Sequence, residues 1–168
     1  MLDLGDEGTG ETSICCDEEN APIEYHWYRA PGEVAMEDAF IAIVGPLAKS
    51  DIELEYFRDE YRARLEMLRQ GRLLAIHNVK GPMRDEKRFE MFELRFRLAS
   101  GLDEEHYVRV RAYHVEPTSL RSKTGCTVVG LHMHHKDTDA EDVDDQQASE
   151  IKVAAARFFV AQSSKWGL

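Results

Sequence analysis

Residues 92–98 read Phe-Glu-Leu-Arg-Phe-Arg-Leu. Apolar and polar side chains alternate throughout, which is the period of two expected of a β-strand with one buried face. The apolar positions are Phe92, Leu94, Phe96 and Leu98, and the polar positions are Glu93, Arg95 and Arg97. This stretch predicts a sheet with one face for the core and an opposite face rich in arginine.

Residues 107–115 and 127–134 repeat the alternation. Loops over residues 99–106 and 116–125 separate the three runs, as in an antiparallel meander. If helices cover the apolar face, the opposite face carries polar residues from all three strands, among them Arg95, Arg97, Arg109, Arg111 and His132. The sequence therefore predicts a cluster of cations on one face of the sheet.

One more strand and three helices complete the predicted fold. Residues 23–28 alternate like a strand, and residues 34–47 and 51–70 place apolar residues at helical intervals, with Gly71 as a stop signal. A last helix begins near Asp144 or Asp145. This order predicts an α+β fold, in which an N-terminal strand and a helical hairpin pack on one face of an antiparallel sheet and a C-terminal helix follows.

The 168 residues suffice for one domain with its own core. Residues 1–22 are acidic and poor in large apolar side chains, so we expect a disordered tail before a domain spanning residues 23–168. Cys15, Cys16 and Cys126 form neither a disulfide framework nor a zinc-binding spacing, which favours a reducing compartment. With no leader or membrane-spanning segment recognised, we expect a cytoplasmic protein without membrane contact.

Charge is unevenly distributed along the chain, whose net charge is −11. Residues 1–22 and 137–150 hold seven acids each and no base, whereas residues 62–124 hold fourteen bases against nine acids. The two acidic segments either confer solubility or mask the basic middle of the chain. The arginines of the sheet face likewise require anions, either from the protein itself or from a ligand.

The third strand and the last helix contain a recognisable pattern. Residues 131–138 read Leu-His-Met-His-His-Lys-Asp-Thr, and residues 150–157 carry Glu-Ile-x-x-Ala-x-x-Arg. This pattern resembles RelE/HigB-like toxins of the phage-derived branch, whose last strand reads Leu-His-Gly-Phe-x-Lys-Lys-Thr before a helix of the same motif. Lys80, the Phe92–Arg95 run and Arg109-Val110 resemble the earlier part of that signature, so the resemblance covers about residues 23–165.

The resemblance implies a RelE-like fold and a metal-independent endoribonuclease without cofactors. Such toxins cleave mRNA, usually on the ribosome, and are neutralised by a cognate antitoxin, here expected to be of the helix-turn-helix type. The predicted catalytic residues are Arg95, Arg109, His132, His135 and Lys136. The predicted RNA-binding residues are Lys80, Arg84, Arg97 and Arg111. Arginine forks suit phosphate oxygens, and imidazole or ammonium groups transfer protons.

Two alternatives remain beside this hypothesis. Asp137 stands where the family has a second lysine, and His134 replaces an aromatic residue. A non-catalytic module of the same fold, acting through protein contacts of its acidic segments, is therefore the rival interpretation.

A metal site at His132, His134 and His135 is disfavoured because His135 points to the other face of the strand. His77, close to Lys80 in sequence, is a further candidate for lining the site.

Overall fold

The computed structural model describes residues 8–101 and 105–168. These residues form three α-helices and one six-stranded sheet, so the predicted α+β class is confirmed. In chain order the elements are β1 (Ile23–Trp27), α1 (Met36–Val44), α2 (Asp51–Arg69), β2 (Val79–Lys80), β3 (Met91–Ala99), β4 (Tyr107–Val115), β5 (Arg121–Ser122), β6 (Gly125–His135) and α3 (Val143–Ser163). The short strand β5 lies in the predicted loop over residues 116–125, and β2 lies in a segment for which no strand was predicted.

The sheet has the strand order β1-β6-β4-β3-β2, with β5 paired to β6. The three long strands β3, β4 and β6 are antiparallel neighbours, as predicted. The expectation of a wholly antiparallel sheet is wrong, because β1 runs parallel to β6, with Ile23 opposite Cys126. Between β1 and β6 the chain forms the helical hairpin and strands β2 to β5. β6 then lies beside β1 and runs in the same direction.

The helical hairpin α1–α2 covers the apolar face of β3, as the alternation predicts. Ser50 caps α2 by accepting a hydrogen bond from the Glu53 amide at 3.1 Å. The aromatic rings of Phe40 and Tyr61 lie 5.3 and 5.8 Å from that of Phe96. These contacts belong to a core that fixes the opposite direction of the arginine side chains.

The third helix covers part of the other face of the sheet. Its Ile151 and Phe158 form a second core with Tyr113 and Leu131. The face that carries the arginines is therefore partly covered by α3. A helix with its own apolar stripe must bury it, and the apolar residues at this end of the sheet provide the partner surface.

Residues 8–22 correct the prediction of a disordered tail over residues 1–22. Ile14 and Cys15 are buried in the core beneath the hairpin, and Glu116 at the end of β4 accepts hydrogen bonds from Ser13 Oγ and from the Ile14 amide. The prediction failed because it relied on the acidic composition of the whole stretch and gave no weight to the apolar pair Ile14 and Cys15. Residues 1–7 lie outside the described residues, so the prediction remains open for them. No helix in residues 8–101 or 105–168 combines the length and apolarity needed to cross a membrane.

Candidate functional site

A cleft of about 490 Å³ lies on the α3 side of the sheet, next to the part that α3 covers. Five arginines line it, which are Arg64 from α2, Arg95 and Arg97 from β3, and Arg109 and Arg111 from β4. Ile76, His77 and Asn78, from the loop before β2, form its edge. We call this feature the arginine cleft.

Strand register explains why the arginines converge. Arg95 stands directly opposite Arg111, and Arg97 directly opposite Arg109, in the antiparallel β3–β4 ladder. Opposed residues share a sheet face and have Cβ atoms about 4.5–5.5 Å apart. Like charges in such pairs are unfavourable, so the cleft requires negative charge.

One buried carboxylate supplies part of this charge. Glu93 is completely buried, accepts a hydrogen bond from Arg95 Nε at 2.9 Å and lies 3.1 Å from Arg111 Nε. Within residues 8–101 and 105–168, no carboxylate forms an ion pair with Arg64, Arg97 or Arg109. The cleft therefore keeps an excess of positive charge.

The remaining arginines are held by uncharged groups. The Arg97 guanidinium lies 3.8 Å from the centre of the Tyr107 ring, and Arg109 donates to Thr138 Oγ1 at 3.2 Å. Arg64 donates to the backbone carbonyl of Arg95. Burial lowers the pKa of Arg64 and of Arg111, because a desolvated guanidinium loses hydration. An anion in the cleft would restore favourable electrostatics.

The predicted catalytic histidines lie outside the cleft. His132 shares the arginine face, but its Nε2 bonds to Glu150 of α3 and its side chain lines a separate cavity of about 370 Å³ beside Arg157. His135 is paired with Val110, a core residue under the hairpin, so it belongs to the opposite face. The histidine that lines the cleft is His77.

His134 stands opposite Arg111 on the arginine face. Its Nδ1 donates to the carbonyl of His135 at 3.1 Å, which leaves Nε2 to accept from the Tyr113 hydroxyl at 3.1 Å. Burial lowers the pKa of His134, so the ring is neutral at physiological pH. These two hydrogen bonds fix the orientation of the His134 ring beside Arg111.

Three further residues were predicted to belong to the site: Lys136 as a catalytic residue, and Lys80 and Arg84 as RNA-binding residues. They differ in their position relative to the cleft. The Lys136 amide donates to the Arg109 carbonyl at 2.8 Å and its Nζ to Gln147 at 2.9 Å, so it borders the cleft on the α3 side. Lys80 is paired with Glu93 in the β2–β3 ladder, and Arg84 is exposed in the following loop. Neither Lys80 nor Arg84 lines the cleft.

Sequence reasoning missed Arg64, although it considered His77. Arg64 lies on the helix that covers the other face of the sheet, and it reaches the cleft at the open edge of β3. The available signal was its place between Tyr61 and Leu65, which belong to the apolar set of α2. An arginine next to the buried side of α2 lies close to the sheet, so its side chain can reach the edge of the sheet.

Cys15, His114 and Glu116 are the residues best placed to hold a metal ion among those described. Their ligand atoms lie within 4.8 Å of one another, and all three side chains are buried. The Glu116 carboxylate already accepts hydrogen bonds from Ser13, from the Ile14 amide and from His114 at 3.1 Å. These hydrogen bonds attach residues 13–15 to the end of β4, which is the role we assign to Glu116.

The arginine cleft is suited to an anion with several oxygens. A guanidinium presents a planar fork of donors that matches phosphate oxygens and stays charged at all physiological pH values. Comparisons with protein-family models, with curated proteins and with solved structures find no match for this chain. Its function is therefore inferred from the cleft together with the sequence pattern.

Proposed function

We propose that this chain is a metal-independent endoribonuclease of the RelE/HigB-like type, and that the arginine cleft holds the RNA backbone. One observation carries the proposal: five arginines converge on a single cleft, while the described residues supply one buried carboxylate to two of them. Phosphate groups are the ligands that such a surplus of guanidinium groups favours.

The architecture supports a RelE-like fold. A first strand, a helical hairpin and an antiparallel β3–β4–β6 meander are followed by a C-terminal helix, in the order that the resemblance implies. The hairpin lies on the apolar face and the arginines on the other. This division leaves a basic sheet surface for the substrate.

The proposed reaction is attack of a ribose 2′-oxygen on the adjacent phosphorus. The 2′-OH loses its proton, the bond from phosphorus to the 5′-oxygen breaks, and that oxygen gains a proton, which leaves a 2′,3′-cyclic phosphate and a 5′-hydroxyl. Arg97 and Arg109 hold the non-bridging oxygens as charge develops. His77, at the edge of the cleft, and Lys136, at its border, are the groups proposed to move the protons.

Two arginines have a supporting role in this scheme. Arg95 and Arg111 are fixed by Glu93, which places their positive charge without rotation of the side chains. Preorganised charge requires little rearrangement when the transition state forms. His132 and His135 are not proposed as proton carriers, because His132 lines a separate cavity and His135 lies on the opposite face of the sheet.

The proposed substrate is mRNA, and the proposed setting is the cytoplasm, with the ribosome as a further binding surface. A cognate antitoxin of the helix-turn-helix type would hold the enzyme inactive. These partners follow from the sequence resemblance. They are tested separately from the cleft chemistry.

A non-catalytic binding module is the second candidate. The interaction of His132 with Glu150 favours it, because this bond occupies Nε2 of the predicted proton carrier. In that case the domain would act through protein contacts of its acidic segments. Absence of new RNA ends, together with an RNA affinity that does not change with salt, would identify this function.

Cleavage of a labelled single-stranded RNA by purified protein in EDTA tests the proposal. We expect products with 5′-hydroxyl ends, and a loss of about 100- to 1,000-fold for Arg97→Ala or Arg109→Ala. The matched control is Arg62→Ala, which removes an exposed arginine paired with Glu37 on the helical hairpin. Cleavage that requires a metal, or that survives both cleft substitutions, would contradict the proposal.

A further inference from the structure

Ile76 has a backbone conformation that its side chain disfavours. Its φ angle is +71°, in the left-handed region. That region is suited to glycine and, less often, to asparagine, and a β-branched residue there is a genuine outlier. Strain of this kind persists where the surrounding structure enforces it, and it is frequent at ligand-binding sites.

The surrounding hydrogen bonds enforce this conformation. The Ile76 amide donates to the carbonyls of Thr9 and Val79 at 2.9 and 2.8 Å. Its carbonyl accepts from Arg95 Nη1 at 3.0 Å, and the nearby Asn78 carbonyl accepts from the Arg95 amide at 2.8 Å. The loop is therefore fixed to the strand that carries the arginines.

The Ile76 side chain gains little burial from this arrangement. It is 51% exposed and lines the arginine cleft beside the exposed His77. Glycine at this position would provide the same backbone hydrogen bonds without strain. Folding alone therefore does not explain an isoleucine here, whereas an apolar contact with a ligand does.

We propose that Ile76, with His77, forms a platform for an unpaired nucleobase next to the phosphate-binding arginines. The cleft would then select single-stranded RNA, because a base in a duplex is stacked and cannot reach the platform. This inference rests on the proposed function and names the form of RNA that the cleft takes. The bond between Arg95 and the Ile76 carbonyl sets the spacing of base and phosphate subsites.

Binding measurements on Ile76→Gly test the platform. Equilibrium binding is measured with a single-stranded RNA, with the matching duplex and with inorganic polyphosphate, which carries phosphates but no base. We expect about tenfold weaker binding of the single strand, unchanged polyphosphate binding and a melting temperature equal to or above that of the wild type. Wild-type protein should prefer the single strand to the duplex.

Two further variants make the result decisive. Ile76→Asn, which also tolerates the left-handed region, should behave like Ile76→Gly, while Ile52→Ala removes an isoleucine that is 84% exposed on α2 and should change nothing. Unchanged single-strand affinity, or equal losses for RNA and polyphosphate, would overturn the platform. If Arg97→Ala and Arg109→Ala bind both RNA and polyphosphate as tightly as the wild type, the proposed function is overturned instead.

Discussion

Arg95 and Glu93 form an ion pair of 2.9 Å within β3, and the carboxylate of this pair is completely buried. The same oxygen lies 3.1 Å from Arg111 on the neighbouring strand. One acid thus permits two directly opposed arginines to face the same cleft. Glu93 also accepts a hydrogen bond from Gln147 of α3 at 3.3 Å, which links the cleft to the C-terminal helix.

Replacing Glu93 should destabilise the protein strongly. Glu93→Ala leaves the buried Arg111 without its counter-charge, so we expect the free energy of unfolding to fall by about 3–5 kcal/mol. Urea denaturation followed by circular dichroism measures this loss. Glu90→Ala, at an exposed position close by in sequence, is the control and should cost little. A loss below about 1 kcal/mol for Glu93→Ala would show that the arginines do not depend on this carboxylate.

RNA affinity should fall steeply with salt. Each phosphate contact releases counterions, with a slope of about −0.7 per contact for single strands in a plot of log affinity against log salt. Arg97→Ala and Arg109→Ala should each make this slope shallower by about one contact, as measured by fluorescence anisotropy across a salt series. A slope near zero for the wild type would favour the protein-contact interpretation.

The attachment of residues 13–15 to Glu116 should make the protein sensitive to acid. Burial raises the pKa of Glu116, but hydrogen bonds from His114, Ser13 and the Ile14 amide outweigh burial, so the net pKa lies below its ordinary value of 4.5. Because the folded pKa is depressed, the stabilisation is present above that ordinary value and disappears as the pH falls through the folded pKa. Stability measured between pH 7 and pH 3 should decline more for the wild type than for Glu116→Gln. Parallel declines would contradict this role of Glu116.

The two histidine positions should differ in their effect on cleavage. His77→Gln should slow single-turnover cleavage and alter its pH profile, because His77 lines the cleft, whereas His132→Gln should leave the rate nearly unchanged because His132 faces another cavity. Both variants keep a polar side chain of similar size. The reverse order of effects would place the proton transfer at His132, as the sequence pattern suggests.

Much of the sheet is predictable from local sequence, since the alternation around Arg95 and Arg109 sets the face on which each side chain lies. The parallel pairing of Ile23 with Cys126 is not, because it depends on how distant segments return to the sheet. The diversion of His132 to Glu150 follows from the docking of α3, which is a tertiary effect. Pattern reasoning therefore found four of the five cleft arginines, but it did not foresee that His132 and His135 lie outside the cleft.

Mapping RNA ends in bacteria after induction of this chain tests the central claim most directly. Sequencing that captures 5′-hydroxyl ends should reveal new cleavage sites within mRNA and accompany growth arrest, while the Arg97→Ala/Arg109→Ala double variant, expressed to the same level, should produce neither. Absence of new ends with the wild type, or identical ends with the double variant, would contradict an RNA-cleaving arginine cleft.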